Sequence, residues 1–203
     1  MMKPNDDSVV VQNMRAFLAL DLDPFSQDKL LQMVSEWRSV EREFQILRWV
    51  APAQWHITLL FMGDVAPEAL LKFCQAVERQ YHYWQKPMIE WSHFEWFPSP
   101  EKPRALVLVL RADPALIAIR DAVADISQQC DIIINPEKKF IPHVTIARGK
   151  SRYKLPAVEL PSESTHLSEL ILFRSLPEKR GTAYQKLAHW RLSVSGTENK
   201  EKL

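Results

Sequence analysis

Two stretches of this chain carry the same pattern, His56-Ile57-Thr58-Leu59 and His143-Val144-Thr145-Ile146. Imidazole is the side chain that gains and loses a proton near neutral pH, and a threonine hydroxyl donates a hydrogen bond to an anion. One His-x-Thr pair is unremarkable. Two pairs in one chain predict a symmetric site in which His56 and His143 handle protons while Thr58 and Thr145 hold an anion. No further His, Asp or Glu stands at ligand spacing beside either motif, so this reading calls for no metal and no cofactor.

Such a site needs elements that aim both side chains of each pair the same way. In a strand, residues two apart share a face, so each motif presents its imidazole and hydroxyl together. Ile57 and Val144 then point into a core. The motifs sit within a longer repeat. An apolar run, Arg15 to Leu20, precedes Asp23-Pro24 and a helix-like stretch to about Val40. Arg104 to Leu110 precedes Asp113-Pro114 and a second such stretch to about Cys130. Asp at an N-cap with Pro at the first helical position is a favourable helix start. Leu30, Leu31, Val34 and Trp37 line one helix; Leu116, Ile117, Ile119, Arg120, Val123 and Ile126 line the other. Each half then nears its histidine through an aromatic and a proline, Trp49 and Pro52 or Phe140 and Pro142. The intervals from Asp-Pro to histidine are nearly equal, which reads as an internal duplication of a strand–helix–strand–strand unit.

The remaining elements arrange themselves around that repeat. Leu59 to Met62 continues the first histidine strand and Gly63-Asp64 turns it. Ala66 to Tyr83 reads as a third helix, Pro87 to Phe97 as an aromatic strand, and Leu167 to Phe173 and Leu187 to Val194 as two late strands. The expected class is α+β: a bilobal, duplicated domain over 14–194. Its two largely antiparallel sheets form a concave cleft, with helices on their outer faces. Residues 1–13 and 195–203 are polar and read as flexible ends.

Composition sets bounds. At 203 residues and 46% hydrophobic, the chain has enough apolar surface for a full core. A net charge of +1 disfavours coating nucleic acid by bulk electrostatics and leaves room for a local basic patch. Cys74 and Cys130 form no C-x-x-C motif and read as free thiols of a reducing compartment. The polar start and the lack of any run of membrane-spanning length place the expected protein in the cytoplasm, off the membrane; a monomer is the separate expectation.

Arg148, Lys150, Arg152 and Lys154, with Tyr153 among them, make an alternating basic stripe that suits distal phosphates or plain solvation. Arg148 lies five residues after His143, so a regular strand turns it to the opposite face; it reaches the site only if the strand ends or bulges near Gly149. Trp91 to Phe97 offers rings on which a base can stack, though core packing accounts for most of them. His82, His93, His166 and His189 lack the repeat and read as packed or surface residues.

The residues Trp49-Val50-Ala51-Pro52, His56 to Val65 and Phe140 to Arg148 resemble the two motif regions of the two-histidine phosphoesterases. The branch they resemble is the RNA 2′,3′-cyclic phosphodiesterases, also called 2′-5′ RNA ligases. The resemblance runs from about Arg15 to Leu192. It includes the opening Arg-x-Phe-x-Ala, Phe97-Pro98, Pro103-Arg104, and the stretch from Leu172 through Gly181 and Tyr184 to Leu187. Val107 stands where the resemblance leads one to expect tryptophan.

The resemblance implies hydrolysis of RNA or oligonucleotide 2′,3′-cyclic phosphate ends. One histidine deprotonates water, the other protonates the departing ribose oxygen, and Thr58, Thr145 and Arg148 hold phosphate oxygens. It further implies that His56 is the acid toward the 3′ oxygen and His143 the base, leaving a 2′-phosphate. Nothing in the spacing itself separates the two roles. The same site would also join such an end to a 5′-hydroxyl without ATP, in a reversible 2′-5′ ligation. The alternatives for this chain are a sister enzyme acting on a small cyclic nucleotide, on ADP-ribose cyclic phosphate or on 2′-5′ oligoadenylate, and, outside catalysis, a module that binds a nucleotide without turnover. Turnover separates the last from the rest.

Overall fold

The chain is described here by a computed structural model covering residues 12–40, 42–134, 139–150, 155, 159–160, 164–179 and 181–193. Most of both expected flexible ends, together with Arg152, Tyr153 and Lys154 of the basic stripe, lies outside these residues. The elements run in the order β1 (Met14–Asp21), α1 (Pro24–Val40), α2 (Arg42–Gln45), β2 (Arg48–Trp49) and β3 (His56–Val65). Then come α3 (Pro67–Gln80), β4 (Met88–Phe97), β5 (Ala105–Ala112), α4 (Pro114–Gln129), β6 (His143–Arg148), β7 (Thr165–His166), β8 (Glu169–Glu178) and β9 (Gly181–Arg191).

Both Asp-Pro signals start helices. The Asp113 carboxylate accepts from Leu116 N–H at 2.9 Å, and Asp23 accepts from Ser26 N–H at 3.0 Å. The same carboxylates tie the helices to the sheet, since Asp113 also accepts from Met88 N–H at 2.9 Å and Asp23 from the Thr165 hydroxyl at 2.8 Å. Leu30, Val34 and Trp37 of α1, Phe73 and Val77 of α3, and Leu116, Ile119 and Val123 of α4 all enter one core. They meet Leu18, Leu20, Ile57, Leu106, Leu108, Val144 and Ile146 from a single face of the strands.

The strands do not form two sheets. They join in one antiparallel order, β7-β4-β5-β6-β3-β1-β8-β9, with β2 added beside β6. The join is a single register position, Ile57 opposite Val144, beyond which β3 and β6 diverge. One shared rung suffices to make the hydrogen bonding continuous, and the two halves curl away on either side of it. The long helices cover one face. The other carries two small apolar clusters, Phe17, Ala19, Ile171 and Phe173 in one half and Ala105, Val107 and Val109 in the other.

Two further boundaries differ from expectation. Gly63 does not turn the chain: β3 runs on to Val65, and the φ of +70° at Gly63 is absorbed in a bulge opposite Ala16 and Phe17. The late strands are longer than their apolar runs, because β8 and β9 form a hairpin that keeps pairing through Pro177 opposite Thr182. Proline is tolerated there, at the end of a two-stranded ribbon whose outer strand is an edge.

Candidate active site

The face without helices is where the two motifs meet. Antiparallel partners directly opposite one another share a face. Thr58 lies opposite Ala19 and Thr145 opposite Val107; His143 lies opposite Val109 and His56 opposite Asp21. Ile57 and Val144 are wholly buried on the other side, as the alternation requires. The seam therefore sets the two imidazoles and two hydroxyls side by side.

Both imidazoles are held in the same way. His56 Nδ1 lies 2.7 Å from the carbonyl of Gln54, and His143 Nδ1 lies 2.7 Å from the carbonyl of Ile141. A carbonyl only accepts, so each Nδ1 carries the hydrogen and each Nε2 is left to exchange protons with a ligand. Aromatic rings fix the planes. Phe17 packs 5.0 Å and Tyr184 5.4 Å from the His56 ring, and Phe97 packs 4.7 Å from the His143 ring. Phe97 is thus the member of the Trp91–Phe97 cluster that reaches the site, while Trp91 and Trp96 are buried in the core.

Burial, with smaller contributions from Arg148 and His143, disfavours charge on His56 and holds its pKa down to about 4, against the opposing pull of the Gln54 carbonyl. His143 is lowered for the same first reason, with Arg148 adding to it and the Ile141 carbonyl opposing. Both shifts favour the neutral imidazole at pH 7, that of His56 the more strongly.

Arg148 reaches the site, and a bulge is the reason. Val107 opposes Thr145 and Leu106 opposes Ala147, so Ile146 is an extra residue in β6. Ile146 and Ala147 are both buried, and Arg148 emerges opposite Ala105 on the face of the histidines. The first motif does the same. Leu59 is extra in β3, Leu59 and Leu60 are both buried, and Phe61 emerges opposite Phe17, half exposed beneath the Arg15 guanidinium at 4.9 Å. Equivalent positions thus hold Arg148 in one half and Phe61 in the other.

Sequence reasoning missed three contributors. Arg48 pairs with Arg148 across the β2–β6 ladder, and the two guanidiniums, with Trp49, Gln54 and Tyr184, line a cavity of about 230 Å³. A two-residue strand leaves no periodic signal by which Arg48 could be found. Tyr184 on β9 shares a packing cluster with Phe17 and Phe173. Asp21, opposite His56, is raised by burial and drawn back by Lys186, whose Nζ stands 3.9 Å away. Lys150 lines a separate hollow with Lys102 and Arg104. His82, His93, His166 and His189 are all exposed. Among the described residues no three His, Cys, Asp or Glu side chains gather as a metal site, Cys74 and Cys130 are free, and no helix is long and apolar enough to cross a membrane.

Comparison with known proteins fits this geometry. Residues 26–174 match the pattern of the 2′-5′ RNA ligase superfamily. The chain belongs to that superfamily, the two-histidine phosphoesterases. It is 27% identical over 191 residues to the RNA 2′,3′-cyclic phosphodiesterase of Methanothermobacter thermautotrophicus, covering 88% of this chain and 98% of that one. It is 31% identical over 160 residues to the enzyme of the same name from Aeropyrum pernix, covering 74% and 89%. Among solved structures the fold is shared with TT0787 of Thermus thermophilus, with a TM-score of 0.72, 22% identity and coverage of 90% and 100%. Escherichia coli LigT complexed with 3′-AMP gives 0.70, 23%, and 89% and 99%.

Proposed function

We propose that this superfamily member hydrolyses RNA or oligonucleotide ends bearing a 2′,3′-cyclic phosphate, leaving a 2′-phosphate. His56 and His143 are the acid–base pair; Thr58, Thr145 and Arg148 hold the non-bridging oxygens. The observation that carries this reading is the matched pair of imidazoles, each tied through Nδ1 to a carbonyl two residues back, on one face of the seam. Arg148 supplies the positive charge an anion needs there, and the curated relatives named above bear this activity in their names.

In the hydrolytic direction one imidazole takes a proton from water as its oxygen forms a bond to phosphorus. The P–O3′ bond breaks, and the other imidazole gives its proton to the departing 3′ oxygen. Attacking and leaving oxygens lie on opposite sides of phosphorus, so the acid and base must flank it. With His56 as the acid, it must take up a proton from solvent as the anionic substrate binds, because burial favours its neutral form. A bound phosphate opposes that preference, because its negative charge raises both imidazoles. The same displacement with a 5′-hydroxyl in place of water joins a cyclic end to that hydroxyl in a 2′-5′ linkage, again with P–O3′ broken and the 3′ oxygen protonated. All five groups come from one chain, so a monomer suffices, and its two halves act as a pseudo-twofold pair.

The test is product analysis of a short RNA with a 2′,3′-cyclic end. A 2′-phosphate that fails to form with His56→Ala or His143→Ala supports the reading. A 3′-phosphate product reverses the direction assigned to the substrate, and no product from any cyclic phosphate overturns the activity.

A further inference from the structure

The two halves differ where each chain segment approaches its histidine. Ahead of His56, Arg48 and Trp49 pair with Arg148 and Ala147, and Val50 N–H donates to the Ile146 carbonyl at 2.9 Å, so the sheet closes on that side. Ahead of His143, Lys139 to Pro142 make no such ladder with β3 among the described residues, and a cavity of about 250 Å³ opens between them. Thr58, Phe61 and His143 line it from the site, Phe140 and Lys139 from the approach, and Arg120 from α4 beneath.

Arg120 is out of place for a core-facing helix. Seven residues after Asp23 stands Leu30, wholly buried; seven after Asp113 stands Arg120. Its guanidinium lies 5.9 Å from the Phe140 ring centroid, and one terminal nitrogen donates to Asp121 at 2.8 Å. Its Nε is buried without a hydrogen-bond partner. A buried donor left without a partner costs free energy, and the guanidinium that carries it lines the cavity with its positive charge. Lys139 stands exposed at the mouth and adds a second cation.

We infer that this cavity is a second anion subsite, taking the phosphate attached to the 5′ carbon of the same nucleotide whose cyclic phosphate reacts at His56 and His143. This rests on the proposed activity and deepens it. The preferred substrate carries a phosphate on both sides of its terminal ribose, as the last residue of an RNA strand does and a free nucleoside cyclic phosphate does not.

The test compares adenosine 2′,3′-cyclic phosphate with and without a 5′-phosphate in steady-state kinetics. In the unmodified protein the 5′-phosphate should raise kcat/KM about tenfold or more, chiefly through KM, as one or two charge-assisted hydrogen bonds predict. In Lys139→Ala, an exposed change that leaves packing intact, and in Arg120→Gln the ratio of the two kcat/KM values should fall toward one. Calorimetric titration of both nucleotides into His56→Ala reads the same difference without turnover. A protein that uses the unphosphorylated nucleotide but shows a ratio near one, or a ratio that survives both substitutions, overturns the subsite alone. A protein that neither turns over nor binds either nucleotide overturns the activity beneath it and the subsite together.

Discussion

Ile57 faces Val144 across the seam of the sheet, and both side chains are fully buried. That rung joins the two halves of the sheet, each of which carries one imidazole. Ile57→Ala should cost about 2–5 kcal/mol and Ile57→Val about 0.5–1.5 kcal/mol in denaturant unfolding. A cost below the lower figure for Ile57→Ala would mean that the seam carries little of the packing.

Removing either imidazole should remove a proton transfer. His56→Ala and His143→Ala should each lower kcat on a cyclic phosphate by about 10²–10⁴-fold with the melting transition preserved. The double variant should fall little below the worse single one, because groups acting in one step are not additive. Near-normal turnover in either single variant would refute the pair.

The pH dependence has a defined sign. Burial lowers both histidines, His56 to about 4, so above pH 6.5 the free protein has few molecules with one imidazole charged. The kcat/KM profile should therefore be bell-shaped with its maximum below pH 6.5, the two limbs belonging to the coupled pair. The kcat profile should sit at higher pH, since the bound anion raises both groups.

Stability follows from the same shifts. Between pH 6.5 and about 4 the unfolded chain binds a proton at His56 that the folded protein refuses. The contribution is present above 6.5 and is lost as pH falls through that window. His56→Gln should flatten this part of the stability curve; an unchanged slope would contradict the burial argument.

Arg148 acts on both histidines at once. Arg148→Ala should raise KM for cyclic phosphates and move the kcat/KM maximum to higher pH, because the charge that lowers both imidazoles is gone. A loss of affinity with no movement of the profile would place Arg148 farther from the pair than the register implies.

Much of this was legible in the residues because it is local. Asp23-Pro24 and Asp113-Pro114 announce helix starts through cap chemistry, and His-x-Thr announces a shared face through strand alternation. What alternation cannot reveal is where it fails. The extra residues Leu59 and Ile146 lie within apolar runs that look like unbroken strand, so Arg148 counts to the wrong side until the bulge is seen. Arg48 lies in a two-residue strand whose existence depends on β6, a partner remote in sequence. The continuity of the sheet hangs on one rung, which no periodicity marks. Pro177 and its charged neighbours mask the end of a hairpin that is held by its pairing and not by apolar burial.

The matched bulges place Phe61 and Arg148 at corresponding positions on either side of the site. A cleft with perfect twofold symmetry would meet a ribose cyclic phosphate equally well turned either way round, and both ribose oxygens would then leave. A ring on one flank and a guanidinium on the other abolish that equivalence. The chain repeats its motif twice, and on the proposed activity the discrepancy between the copies would give the site a direction along an RNA strand.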